Sequence, residues 1–226
     1  MDDSTLDCCD HIRFWKKKGI YVKVINVFTK FEGNHLSKIA KDYIRDSGFV
    51  SASKFEKARK HEEESVQNTL KLDCENLNYF DRWFRVFNNK PIYPNRFLSS
   101  YKISPHDKSI IKDIGIKLSD YLYFNKIFIP LGIGGHIDHL IVRNRAEEVF
   151  PKSKLGYYLD YPYALNRKYW SLKLLWRFLI SKKSIKSMSK EKINILKMYR
   201  SQYPILFAKE PKYSEVILYN LSLYSP

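Results

Sequence analysis

Apolar strand-like runs alternate with amphipathic helix-like segments along this chain. The β-branched run Ile20–Thr29 is typical of a buried strand, and Lys126–Pro130 is a second, shorter run. Charged and apolar residues at helical spacing predict the helices Thr5–Lys18, Ser53–Leu72 and Ser104–Tyr123. Strands separated by helices indicate an α/β fold with a mostly parallel sheet covered by helices on both faces.

The same pattern gives no sign of a domain boundary. The sequence contains no internal repeat and no Gly/Ser-rich linker, which predicts a single domain over residues 1–226. In parallel sheets the chemistry lies in loops at the carboxyl ends of strands. Two such loops carry candidate groups, Met1–Thr5 and the glycine-rich loop Gly132–His139.

Composition narrows the class of protein. The 226 residues are 44% hydrophobic and 15% aromatic, enough for a real core, and carry a formal charge of +16. Such a charge attracts an anionic substrate, a phospholipid surface or nucleic acid without choosing between them. There is no uncharged apolar run of about 18 residues and no signal peptide, so the sequence predicts a cytoplasmic location. Three cysteines without a ligand-type spacing argue against disulfides and zinc fingers.

The segment PLGIGGHIDHLIVRNR places three titratable groups, His136, Asp138 and His139, between a glycine-rich loop and a helix-like run. Two imidazoles three residues apart at a helix start can face the same side, and neutral imidazole is a favoured zinc ligand. The spacing alone leaves two interpretations open: a metal or catalytic site, or a helix cap at Asp138 flanked by ordinary surface histidines.

A second group of candidates is the acidic pair Asp2 and Asp3 ahead of the first predicted helix. Acidic residues at a helix N-terminus are favoured by the helix dipole, so capping is the default interpretation of this pair. The two carboxylates would have a catalytic role only if the fold placed them next to the histidines.

Taken together, these motifs resemble the PIG-L/LmbE-like zinc-dependent N-deacetylase family. The resemblance rests on Asp-Asp near the start, a strand ending in VFT, a helix with Arg59 and Glu62, Asp81 after a strand, and above all PLGIGGHIDH with YYLDYPYA. It extends to MYRSQ, where Tyr199, Ser201 and Gln202 are expected in a helix. The family implies a Rossmann-like three-layer sandwich, a zinc ion (Zn2+) and removal of an N-acetyl group from an amino sugar or glycoconjugate.

The resemblance also implies a role for each candidate residue. Asp2 would be the general base, and Asp3 and His139 would be zinc ligands. His136 would stabilise the oxyanion or protonate the leaving amine, and Asp138 would orient His136. The substrate-binding candidates implied by the resemblance are Arg59, Asp81 and Arg85.

One family feature has no counterpart in the printed sequence. The family has a His two residues before the position of Asp2, at the end of an apolar first strand, and this sequence starts at Met1. We therefore expect either an N-terminally truncated member whose complete chain supplies that strand and ligand, or a decayed enzyme. The alternative function is then a catalytically impaired relative that binds an anionic glycan or nucleic acid through its basic surface, although no recognised nucleic-acid motif supports the latter.

The segment Lys168–Ile180 is amphipathic and basic, with Trp170, Leu174 and Phe178 on one helical stripe and Lys173 and Arg177 opposite. Such a helix either packs on its own domain or makes a peripheral contact with an anionic membrane. The sequence favours packing and keeps the membrane contact as a second interpretation.

Overall fold

The computed structural model describes residues 3–31, 33, 35–95, 102–207 and 209–219, without the side chains of Asp3, Lys173 and Arg177. The chain divides into two compact units, Met1–Arg96 with Ser187–Tyr213, and Phe97–Lys186 with Ser214–Pro226. The single domain expected from the sequence stays a prediction.

The described residues form a mixed α/β structure. Its α-helices are α1 (Asp3–Lys17), α2 (Lys38–Asp46), α3 (Ala52–Leu70), α4 (Lys108–Ser119), α5 (Ile137–Val149), α6 (Leu172–Ile180), α7 (Lys190–Leu196) and α8 (Tyr203–Leu206). Its strands are β1 (Lys23–Lys30), β2 (Asp73–Phe80), β3 (Val86–Phe87), β4 (Lys90–Pro91), β5 (Ile127–Pro130), β6 (Leu155–Tyr158), β7 (Lys182–Ser187) and β8 (Ser214–Tyr219). Short 3-10 helices span Arg82–Phe84, Pro105–Asp107, Ile133–Gly135, Lys152–Lys154, Tyr163–Leu165 and Arg167–Tyr169.

In the first unit, β1 and β2 pair in parallel. The helices around them begin where serine side chains cap them: Ser37 accepts from Ala40 N–H before α2, and Ser51 accepts from Lys54 N–H before α3. An aromatic cluster forms the core, in which the rings of Phe31 and Phe55 meet edge to face. This core holds the carboxyl end of β1 beside α3.

The expected helix over MYRSQ is wrong. Helix α7 ends at Leu196 and α8 begins at Tyr203, so Tyr199 and Ser201 lie in the turn between them. Hydrogen bonds to buried acids explain the turn: Tyr199 donates from its hydroxyl to Glu63 over 2.8 Å, and Ser201 donates from its backbone and side chain to Glu62 at 2.8 and 2.7 Å. A helix would satisfy its own amides instead of these carboxylates.

The second unit contains a four-stranded sheet in the order β5-β6-β8-β7. Strands β5 and β6 are parallel, whereas β8 returns antiparallel to β6. The described sheets are therefore a parallel pair and a mixed sheet, and a Rossmann-like sandwich with one mostly parallel sheet stays a prediction. The mixed character arises because β8 comes from the end of the chain and pairs with β6 directly. No helix in the described part of the chain is long and apolar enough to cross a membrane.

Candidate active site

The loop after β5 has a backbone conformation that requires glycine at three positions. Gly132, Gly134 and Gly135 have φ values of 80°, 83° and 70°, a left-handed conformation that favours glycine. The beginning of the loop is fixed at Leu131 by two hydrogen bonds. Leu131 donates its N–H to the carbonyl of Tyr158, and the guanidinium of Arg143 on α5 donates to the Leu131 carbonyl at 2.7 Å.

This loop delivers two histidines to the start of α5. His136 is the N-cap residue, in extended conformation and half-buried, and His139 lies in the first turn and is buried. Their ring centroids are 4.8 Å apart. The two imidazoles are therefore close together, as predicted. They lie at the N-terminus of α5, where the helix dipole favours negative charge.

A buried carboxylate fixes the orientation of His139. Asp160 is fully buried, and its Oδ1 lies 2.6 Å from Nδ1 of His139. Its other oxygen accepts the N–H of Ile133 at 2.8 Å. An ionised carboxylate only accepts hydrogen bonds, so this contact places a proton on Nδ1, and in the neutral imidazole the lone pair is then on Nε2. Metal-binding histidines are held by carboxylates in this way.

A tyrosine packs directly against the same loop. A Cβ on Gly134 would lie 2.9 Å from Cγ of Tyr163, so the ring occupies the space that a side chain at residue 134 would need. The half-buried Tyr163 ring lies 6.4 Å, centroid to centroid, from both His136 and His139. Tyr163 is thus positioned to contact a molecule bound at the histidine pair.

The sequence motifs GGHIDH and DYPYA meet through these two contacts. Asp160 and Tyr163 were missed as site residues by the sequence analysis, although the DYPYA segment was recognised as part of the resemblance. Asp160 could have been identified from the sequence, because a histidine that binds a metal usually has a carboxylate partner and the DYPYA segment contains one. Asp138, the predicted orienting group, is buried in the first turn of α5, and its action on His136 stays a prediction.

The three substrate-binding candidates lie in the first unit, near the carboxyl ends of β1 and β2. Arg59 and Arg85 are buried, contrary to the usual solvated state of arginine on a charged helix. The Arg85 guanidinium lies 5.0 Å from the ring of Phe28, and that of Arg59 lies 5.8 Å from the ring of Phe31. Asp81 has a structural role, since its Oδ1 accepts the N–H of Trp83 at the start of a 3-10 helix.

Asp2 lies outside the described residues, and Asp3 is the first residue of α1 with its side chain undescribed. Among the side chains that the structure does describe, no group of three or more His, Cys, Asp and Glu is arranged to hold a metal ion. His139 nevertheless fits a metal site on chemical grounds, because Asp160 holds it in the tautomer that a metal requires.

Comparison with known proteins gives likeness in structure only. No family model matches the sequence, and no curated protein matches it. Among solved structures, the zinc-inhibited form of teicoplanin deacetylase superposes with a TM-score of 0.75 at 17% identity, covering 96% of this chain and 93% of that chain. A deacetylase–teicoplanin complex gives a TM-score of 0.74 at 18% identity over the same shares.

A more distant structure belongs to N,N'-diacetylchitobiose deacetylase from Pyrococcus horikoshii. Its TM-score is 0.55 at 15% identity, covering 98% of this chain and 81% of that chain. At these identities the likeness shows the fold, and the chain has the fold of these deacetylases.

Proposed function

We propose that this protein is a zinc-dependent hydrolase that removes an N-acetyl group from an amino sugar or glycoconjugate. The observation that supports it most is the His139–Asp160 pair, a buried imidazole held by a carboxylate next to a second imidazole. The fold shared with glycoconjugate deacetylases supports the same reaction class. The sequence motifs supply the third line of support.

In this proposal, His139 and Asp3 are the residues of the printed sequence that hold zinc. Zinc, when bound, would supply Lewis-acid chemistry for the acetyl carbonyl and for the attacking water. Asp160 keeps Nε2 of His139 available for the metal by holding the proton on Nδ1. Asp2 accepts the proton of the attacking water as general base.

His136 acts on the oxyanion and on the leaving group in this proposal. From its N-cap position it stabilises the negative charge on the former carbonyl oxygen, together with the positive end of the α5 dipole, and then donates a proton to the leaving nitrogen. Asp138, two residues later in the same turn, orients this imidazole. Tyr163 offers a ring face and a hydroxyl to the sugar beside both histidines.

The substrate class is an N-acetylated amino sugar or a conjugate that carries one. Arg59, Asp81 and Arg85 are the candidates for sugar contacts that the resemblance implies, and they stay part of the proposal on that ground.

The experiment that tests the function is acetate release from N,N'-diacetylchitobiose by the full chain loaded with zinc. Variants separate the roles. His139→Ala should lose zinc and activity together, whereas His136→Ala should retain zinc and lose turnover by a hundredfold or more, as for a group used in the transition state (about 2.7 kcal/mol). His106→Ala removes an exposed histidine of the same unit and serves as the matched control.

The outcome against the proposal is equally specific. A His139→Ala protein with full zinc content and full activity would show that the site is assigned wrongly. A chain that neither binds zinc nor releases acetate would favour the impaired relative, whose basic surface binds an anionic glycan.

A further inference from the structure

Helix α6 has two apolar stripes, and the structure distinguishes them. The stripe expected from the sequence is half-buried: Trp170 donates its indole N–H to the Ala164 carbonyl at 3.0 Å, and its ring lies 5.4 Å from that of Phe178. This stripe packs on its own unit, as the sequence favoured. A membrane contact through Trp170 is therefore not the contact this helix offers.

The second stripe faces solvent. It consists of four side chains at positions i, i+3, i+4 and i+7: Leu172, 88% exposed; Leu175, 43%; Trp176, 61%; and Leu179, 62%. Ile185 on β7 is a further exposed apolar residue close in sequence, at 57%. Single exposed apolar side chains are ordinary, but a helical stripe of four large ones marks an interaction surface.

The sequence segment that contains this stripe carries charge of one sign. From Tyr161 to Lys190 the sequence contains no Asp or Glu, and it contains Lys or Arg at eight positions: 167, 168, 173, 177, 182, 183, 186 and 190. Lys182 and Lys183 follow the helix directly and are exposed. A partner that covers the apolar stripe therefore meets positive charge at its edges and is stabilised by carrying negative charge.

We propose that the stripe Leu172/Leu175/Trp176/Leu179 inserts into the surface of an anionic phospholipid membrane, with the neighbouring lysines on the lipid head groups. An interfacial helix has this composition: leucine and tryptophan on one face and basic residues beside it. Lysines near an anionic surface add an attraction that salt weakens. The proposal is independent of the hydrolase function.

Two other occupants fit the surface less well. A second copy of the chain would bring two acid-free basic segments together, and four side chains of one short helix offer well under the roughly 800 Å² per partner that a stable dimer buries. Nucleic acid would match the charge but would leave the three leucines uncovered, since its binding depends on phosphate contacts and ring stacking.

The membrane contact would bring the histidine pair towards lipid-borne molecules. Trp170 ties the start of α6 to Ala164, the residue next to Tyr163, and Tyr163 lies beside both histidines. A glycoconjugate anchored in the membrane would thus be presented to the same unit that carries His136 and His139.

The test is flotation of the full chain with phosphatidylcholine vesicles that contain or lack phosphatidylglycerol. We expect binding to the anionic vesicles, weaker binding at high salt, and a loss of about tenfold or more for Trp176→Ala/Leu179→Ala. The matched control is Ile116→Ala/Tyr123→Ala, which removes two apolar side chains of the same unit that are 57% and 70% exposed and should bind as the parent does. Brominated phospholipid should quench the fluorescence of the parent more than that of Trp176→Phe.

Several results would overturn the proposal. One is a parent chain that does not float with anionic vesicles at low salt. Another is equal binding by the stripe variant and the control variant, which would leave charge alone as the cause. A parent that is dimeric by light scattering and becomes monomeric in Trp176→Ala/Leu179→Ala would identify a second copy as the occupant. Acetate release from soluble N,N'-diacetylchitobiose is measured in parallel, so that failure of membrane binding and failure of the hydrolase function are told apart.

Discussion

Replacing Asp160 by asparagine should convert His139 from a metal ligand into a hydrogen-bond donor while leaving the fold intact. In the parent, the two carboxylate oxygens accept from His139 Nδ1 and from the N–H of Ile133. The asparagine amide can still satisfy both groups if its oxygen faces Ile133 and its NH₂ faces Nδ1. His139 must then carry its proton on Nε2, the atom that a metal requires free.

The size of each effect follows from these contacts. A neutral hydrogen bond replaces a charge-assisted one, so the free energy of unfolding should fall by only about 1 kcal/mol. Zinc binding at Nε2 must move the proton of His139 back to Nδ1. This breaks the hydrogen bond from the asparagine NH₂ group to Nδ1 and leaves two N–H donors facing each other, which costs about 1.5–3 kcal/mol. Zinc affinity should therefore fall about tenfold to a hundredfold, the range usual for a carboxylate behind a metal ligand.

Asp160→Ala provides the contrast. It leaves the Ile133 N–H buried without its acceptor and removes the partner of His139, so we expect a loss of about 1–3 kcal/mol for each group in addition to the zinc effect. Asp107→Asn, at another fully buried carboxyl of the same unit, is the control for the loss of a buried charge.

Three measurements check this prediction: thermal unfolding, zinc affinity by competition with a chromophoric chelator, and the tautomer of His139 from nitrogen chemical shifts. The tautomer is measured without zinc and so tests Asp160 even apart from metal binding. An Asp160→Asn protein with the proton still on Nδ1 and with parental zinc affinity would refute the reasoning.

Three further predictions concern the loop, the buried acids and a thiol. Gly134→Ala should destabilise the fold by about 1–3 kcal/mol, because the new Cβ would meet the ring of Tyr163 and φ is +83°; thermal unfolding measures it. Tyr199→Phe should cost about 1–3 kcal/mol in a urea titration, because Glu63 loses a buried donor. Burial, with nearby carboxylates, raises the pKa of the Cys74 thiol to about 12. At pH 8 its thiolate fraction is then about a thousandfold below that of an ordinary thiol. Alkylation of Cys74 in the native protein, followed by peptide mass, should be correspondingly slow, and its rate should rise about tenfold per pH unit beyond the pH at which an ordinary thiol levels off.

Each of these has a control and a contrary outcome. Gly19→Ala also has a positive φ but meets nothing within 4 Å, so an equal loss at both glycines would mean that contact with Tyr163 contributes nothing. Tyr123→Phe changes an exposed hydroxyl and should be neutral, and an unchanged Tyr199→Phe midpoint would contradict the importance of its bond to Glu63. Fast alkylation of native Cys74 at pH 8, at the rate seen in urea, would contradict the raised pKa.

Local patterns in the sequence predicted several of the elements and the closeness of His136 and His139. The apolar run at Ile20–Thr29 and the charged periodicity at Ser53–Leu72 became β1 and α3 with shifts of a few residues at the ends. Glycines followed by GGHIDH predicted a loop and then a helix with two facing imidazoles, because positive φ values and helical spacing are properties of the local chain.

Tertiary structure decided the contacts between residues that are distant in the sequence. Asp160 reaches His139 across 21 residues only because β6 lies beside β5, and this contact, not the spacing of the histidines, selects the tautomer. Strand β8 pairs with β6 in antiparallel orientation although 55 residues separate their ends, so the described four-stranded sheet contains both orientations for a reason that no local pattern carries.

The same distinction holds for α6 and for MYRSQ. Leucine or an aromatic residue lies on nearly every side of α6, so periodicity could not tell the stripe that packs from Leu172/Leu175/Trp176/Leu179, which is exposed. Tyr199 and Ser201 leave the helix because Glu62 and Glu63, distant in sequence, are buried and require donors. The sequence by itself predicted elements such as β1, α3 and the glycine-rich loop, since those depend on neighbours along the chain. Only the tertiary structure decided which polar groups meet and which apolar face stays uncovered, since those depend on residues that come together through folding.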